Sequence, residues 1–246
     1  MRTRPEIRTR TRTPFIISAA IAVAVTATGA AWAKPPAKAD AAVARGAMFV
    51  HVGGCNHCHT PWVFNAEVGM PIPDMRRMLS GHPSDGPEPE GKVGKHDIGL
   101  IGPTFTSFAM PFGTLYAPNL TPDPETGLGS WTEKMFVDAI KTGKHMGGNG
   151  RAIMPPMPWM DLAELPDADL KAIFAFLRSI PPVKNAVPAH KVPDAVYVGI
   201  TEGFEKVKKM KAAMAAAGPG AKPAPAAVEA KPAAAPAAKP AAEPKK

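Results

Sequence analysis

Apolar residues recur at helical spacing in three stretches of the chain. The first runs from Asp40 to about His51, with Val43, Ala47, Met48 and Val50 as its stripe, and Gly53-Gly54 ends it. In the second, Met135, Phe136, Ala139 and Ile140 line one face and Gly143 stops the helix. Ser130 and Glu133 there predict a capping box, with Trp131 at the first helical position. The third begins near Pro166, a residue tolerated in a first turn. It repeats Leu170, Ile173, Phe174 and Leu177, and Pro181-Pro182 closes it. A basic, alanine-rich helix is expected over 199–217. Residues 60–120 are rich in Pro and Gly and weakly periodic, which predicts a long structured loop with short elements; a loop of that length is uncommon without a function. Lys144 to Trp159 is a further loop. No strand pattern is strong anywhere, so the expected fold class is all-α.

The two ends differ from this middle. Arg2, Arg4, Arg8, Arg10 and Arg12 precede an apolar run from Phe15 to Ala31, and Ala31-Trp32-Ala33 places small residues where a signal peptidase reads. This predicts a signal peptide cleaved after Ala33 and an exported, periplasmic product. The rival is an uncleaved anchor in the membrane, for which a run of about 17 residues is at the short limit. From Gly218 onward Ala, Pro, Lys and Glu repeat without apolar anchors, the composition of a disordered tail.

Charge sits in these ends. The formal net charge is +8, but residues 34–204 hold 15 basic against 17 acidic side chains, a net −2. The basic pI therefore says nothing about the partner of the middle, and a nucleic-acid partner is not expected. The Lys-rich tail is a candidate for contact with a membrane surface.

The chain has 2 cysteines, Cys55 and Cys58, and His59 follows them directly. A disulfide scaffold is excluded, and a thioredoxin-like motif would leave the histidine without a reason. Cys-x-x-Cys-His is the attachment signature of c-type haem. Two thiols with two residues between them reach both vinyl groups from one helical turn, which sets His59 over the iron. His57, inside the motif, is expected to face solvent. One covalent haem c is thus expected, held by Cys55 and Cys58, with His59 as the proximal iron ligand.

The sixth position decides the chemistry. A thioether there gives a low-spin, electron-transferring iron; an open position allows peroxide or gas chemistry. Met154, Met157 and Met160 precede the last amphipathic helix of the middle. Met157, stiffened by Pro156 and Pro158, is the expected distal ligand and Met154 the alternative. Most of the 13 methionines are expected to fill the core. Met70, Met75 and Met78 near His82 form a weaker pattern that would suit Cu(I), though a loop packed on a haem face explains it more simply. Trp131, Trp159, Arg151 and Asn119 are candidates for packing on the macrocycle or bonding a propionate.

Several blocks look like one family. They are Gly53-Gly54-Cys55-Asn56-His57-Cys58-His59-Thr60-Pro61, Leu79-Ser80-Gly81-His82-Pro83 and Ala117-Pro118-Asn119-Leu120-Thr121-Pro122-Asp123. Further on come Thr126-Gly127-Leu128-Gly129 to Trp131, Met154-Pro155-Pro156-Met157-Pro158-Trp159, and Leu165 to Leu177. The chain resembles, over about residues 43–188, the cytochrome c family related to the haem subunits of membrane-associated alcohol and aldehyde dehydrogenases. The resemblance implies a class I-like cytochrome c domain with long loops around one haem, and a distal methionine in the Met-Pro block, which agrees with Met157. The family subunits carry several haem motifs and this chain has one.

The resulting organisation is a signal peptide over 1–33, a linker over 34–39, a cytochrome c domain over 40–190, a possible basic helix within 191–217, and a disordered tail over 218–246. The expected function is electron transfer rather than catalysis. Redox proteins are the expected partners, a periplasmic or membrane-bound dehydrogenase or oxidase among them. Two other classes compete: a haem peroxidase or redox sensor with an open distal site, for which His145 and His96 are the candidate distal groups, and a tethering protein built around the tail.

Overall fold

The protein's structure, a computed structural model, describes residues 38–218 except Asn149. The expected signal peptide, most of the linker and the expected tail from residue 219 lie outside the described residues. Helix α1 (Lys38–Val52) leads into the one-turn helix α2 (Cys55–His59). Five short strands follow: β1 (Trp62–Asn65), β2 (Met70–Pro73), β3 (Leu100–Ile101), β4 (Ser107–Met110) and β5 (Gly113–Tyr116). The rest is helical, with α3 (Glu133–Thr142), α4 (Trp159–Leu162), α5 (Asp167–Ser179) and α6 (Asp194–Ala217).

Helices α1, α3 and α5 enclose the main core. Phe136, Val137 and Ile140 of α3 meet Leu170, Ile173, Phe174 and Leu177 of α5, with Val50 of α1 and Leu79 from the long loop. The crossing of α1 and α5 is close because Gly46 has no side chain: a Cβ there would stand 1.9 Å from the carbonyl oxygen of Ala172. Arg45 and Asp169 form a two-pronged ion pair beside it, with Nη2 to Oδ2 at 3.0 Å. The inward stripe of α1 is therefore Gly46 and Val50, while Met48, expected on it, is 49% exposed.

Two expectations need correcting. Helix α3 is capped by Thr132, whose hydroxyl accepts from the backbone N–H of Met135, and not by Ser130; Glu133 instead pairs with Lys171 of α5. The all-α expectation also fails in the 60–120 segment, which holds two small antiparallel sheets, β1–β2 and β3–β4–β5. Their strands span two to four residues, too few to print a period of two, and Pro71 and Pro73 lie in β2. Trp62 pairs with Pro73 in the first sheet, and Ser107 with Tyr116 in the second.

The second sheet carries a smaller core. Phe108, Leu115, Ala117, Ala152 and Met154 are buried there, and Val192, Val196, Tyr197 and Ile200 cover them. Those covering residues belong to α6 and to the extended segment 183–193, which runs back over the long loop as a strap. Helix α6 begins at Asp194, earlier than the 199 expected from composition, because its first turns pack on this second core. Among the described residues no helix is long and apolar enough to cross a membrane.

Candidate cofactor site

Gly53 and Gly54 end α1, and Gly54, left-handed at φ 65°, turns the chain into α2. One helical turn then presents Cys55, Cys58 and His59. Both cysteines are free thiols; Cys55 is half-buried and Cys58 exposed. Burial raises both thiol pKa values, so neither is poised as a thiolate at neutral pH.

His59 is buried, 6% exposed. Its Nδ1 donates to the carbonyl oxygen of Pro118 at 2.9 Å. A carbonyl can only accept, so Nδ1 carries the ring proton and Nε2 keeps a free lone pair. Burial also pushes the imidazole pKa down, with the Pro118 bond acting against it. His59 is thus a neutral ring held in one tautomer, and its Nε2 makes no hydrogen bond to the described residues. This is the donor state an iron ligand needs, and the motif therefore fits a haem.

The loops around His59 are fastened to one another through main-chain bonds. Gly81 N–H donates to the His59 carbonyl at 2.7 Å, and His82 N–H to that of Ala117 at 2.9 Å. Gly81 has φ 78°, and a Cβ on it would lie 2.6 Å from both the Ala117 oxygen and the Pro118 carbonyl carbon. Only glycine lets this loop press on the residue that orients His59. Thr60 is fully buried; its hydroxyl donates to Asn56 Oδ1 and accepts from Leu79 N–H, both at 2.9 Å. Sequence reasoning gave Pro118, Gly81 and Thr60 no role, although all three lie inside the blocks that carry the resemblance.

The remaining candidates separate clearly. His57 is exposed, as expected, with its ring 6.0 Å from that of Trp62. Met154 is buried in the second core between the strap and the β4–β5 sheet. Met157 is half-buried and belongs to neither core, and its N–H closes a turn onto the Met154 carbonyl at 3.2 Å. Met160 is half-buried on α4. Asn119 is spent on structure: its amide donates to Thr126 Oγ1 and the Val183 carbonyl, and its oxygen accepts from Thr121. Trp159 packs its ring edge-on to Phe204 at 5.0 Å, and Trp131 packs against the main core with His145 at its edge, also at 5.0 Å. The methionine pattern near His82 does not assemble a copper site. Met70 and Met75 are exposed, whereas His82 is buried, with Nδ1 on Thr106 Oγ1 at 2.9 Å and its ring 4.9 Å from Tyr116.

A short helix bearing two thiols and a tautomer-fixed, buried histidine, enclosed by helices and long loops, defines the class of c-type cytochrome domains. No family model matches the chain. Over 84 residues it is 38% identical to the cytochrome c subunit of the quinone-type alcohol dehydrogenase of Gluconobacter oxydans, covering 34% of this chain and 17% of that protein. It is 39% identical, again over 84 residues, to the fructose dehydrogenase cytochrome subunit of Gluconobacter japonicus, which is 33% of this chain and 17% of that one. A longer match, 29% identical over 155 residues, is to the gluconate 2-dehydrogenase cytochrome c subunit of Pantoea cypripedii, covering 63% and 27%. The chain thus spans less than a third of the length of these relatives. Over a third to two thirds of its length the chain is thus similar to cytochrome c subunits of dehydrogenases, and that similarity supports haem c as the cofactor of its motif.

Proposed function

We propose that this chain is an exported electron carrier with a single haem c, bound covalently through Cys55 and Cys58 and ligated by His59 and Met157. The observation that carries the reading is His59 itself: buried, neutral, protonated at Nδ1 by its bond to Pro118, and free at Nε2. When bound, the haem supplies an iron that cycles between Fe(III) and Fe(II). The chain's own residues do the rest. Cys55 and Cys58 tether the ring edge, Pro118 holds the His59 imidazole at a fixed angle, and the Gly81 loop keeps Pro118 from moving. A fixed ligand set changes little between the two oxidation states, and this keeps the reorganisation accompanying electron transfer small. Of Met157 and its first alternative from sequence, Met154, we favour Met157 because Met154 is committed to the second core.

The named relatives are dehydrogenase subunits, and this supports a dehydrogenase as the redox partner here, with the chain as its donor or acceptor or as a subunit. A periplasmic location follows from the N-terminal signal pattern. The cofactor part is tested by intact mass of the protein expressed with haem maturation machinery. One added haem, retained under denaturing conditions, is expected; a chain of unmodified mass contradicts it. Slow or absent carbon monoxide binding by the ferrous protein is expected of a closed iron, and rapid binding would favour an open-site enzyme or sensor.

A further inference from the structure

Helix α6 carries an apolar stripe of which the rest of the domain covers only the first half. Val196, Ile200, Gly203, Val207, Met210 and Met214 follow one another at steps of four and three, which sets them on one face. Val196 and Ile200 pack on the second core. Beyond them the stripe comes out into solvent. Val207 is 37% exposed, Met210 58% and Met214 51%.

The charge of this outer half has one sign. Residues 206–217 hold four lysines and no acidic residue. At helical spacing Lys206 falls on one flank of the exposed stripe and Lys211 on the other. Two of the four lysines are engaged by the protein. Lys208 stands 5.3 Å from the centre of the Trp159 ring and bonds Glu205 at 3.2 Å. Lys211 faces Asp161 of α4 at 3.6 Å and Glu164 at 3.8 Å. Lys206 and Lys209 take part in no ion pair among the described residues. The sequence that follows, residues 218–246, adds five lysines against two glutamates.

What covers such a stripe must be negative and must accept a shallow apolar ridge. A protein interface is dominated by aromatic and arginine anchors, and the outer half of α6 has neither. Three half-exposed side chains among alanines also cover only a fraction of the roughly 800 Å² that a stable protein partner buries on each side. An apolar stripe between lysines does match the boundary of a bilayer, where the stripe enters the headgroup layer and the lysines meet anionic lipid. We propose that the outer half of α6 lies in the surface of an anionic membrane, with Val207, Met210 and Met214 inserted and Lys206 and Lys209 among the headgroups. The docked first half of α6 then fixes the domain to that surface. Binding of this kind needs no haem, so it can fail while the electron-transfer reading stands.

The test is co-sedimentation of the exported protein, its C-terminal residues intact, with two kinds of vesicle: phosphatidylcholine alone, and phosphatidylcholine with phosphatidylglycerol in equal parts. Binding to the anionic vesicles is expected, weakening as salt rises, with far less to the neutral ones. Lys206→Glu with Lys209→Glu should weaken it about tenfold or more, because each basic charge near an anionic surface counts separately. Met210→Asn with Met214→Asn keeps the charge and removes the apolar contact, and should weaken it about fivefold or more. All four positions are exposed, so the circular dichroism of both variants should match that of the wild type. Equal binding of the wild type to the two vesicles, or binding to neither, would overturn the proposal; the second result is the one an acidic protein partner would give. A Met210→Asn, Met214→Asn protein that binds like the wild type would also overturn it, since the contact would then belong to the lysines beyond α6.

Discussion

At the scale of single residues, the site depends on backbone contacts more than on conspicuous side chains. Cys55, Cys58 and His59 were legible as a haem motif because their chemistry demands that spacing. What orients the histidine was not, since a carbonyl group carries no sequence signature of its own. Pro118 acts through its carbonyl, and Gly81 acts through the atom it lacks. Gly81→Ala forces a Cβ against the Ala117–Asn119 backbone at a left-handed φ of 78°. It should cost roughly 1–3 kcal/mol, as overpacking does, and disturb His59 as well. The check is thermal unfolding together with the haem spectrum: both should change, and an unaltered pair would show that the loop does not brace the ligand. Met154 and Met157 present the reverse case. Sequence spacing offered both as ligands; burial sets them apart, Met154 in the second core and Met157 half-buried, a difference that a string of letters does not carry.

At the scale of elements, helices α1, α3 and α5 were readable from periodicity; the inward residues of α5 and most of those of α3 came out as expected, whereas of the stripe expected on α1 only Val50 is buried. The exceptions have local causes. Gly46 reads as a weak point in a helix, yet it is what allows α1 to approach α5. Thr132 displaced Ser130 as the cap of α3 because the chain enters that helix two residues later. The two small sheets were invisible because their strands are too short to alternate. The α1–α5 crossing also predicts a pH dependence. Arg45 holds the Asp169 carboxyl below the usual carboxylate range, through its hydrogen bond first and its charge second. A carboxylate with a depressed folded pKa adds stability above its unfolded pKa and loses it as pH falls through the folded value. Asp169→Asn should therefore lower the melting temperature at pH 7 and flatten its decline below about pH 4. An unchanged melting temperature at pH 7 would mean that the ion pair is idle.

At the scale of the whole molecule, the last cytochrome-like helix is not the end of the working structure. The strap from 183 to 193 crosses back over the cofactor loops, and Asn185 is its main fastening. Its amide donates to the carbonyls of Ser80 at 2.7 Å and His82 at 2.9 Å, and its oxygen accepts from Ser84 N–H at 3.1 Å. Asn185→Ala leaves these partners without their bonds and should cost about 1–3 kcal/mol, measured by denaturant unfolding; no loss would show that the strap rests on the domain without holding it. Sequence reading placed a domain boundary near 190 because the apolar periodicity stops there. A polar strap held by hydrogen bonds has no such period to detect. What we propose for the molecule as a whole is an iron closed by His59 and Met157. The most direct test is the absorption spectrum of the ferric, haem-loaded protein beside that of Met157→Ala. The weak red charge-transfer band of sulfur-to-iron ligation should be present in the wild type and absent from the variant, with haem retained in both. A band that survives Met157→Ala, or one missing from the wild type, would contradict the account.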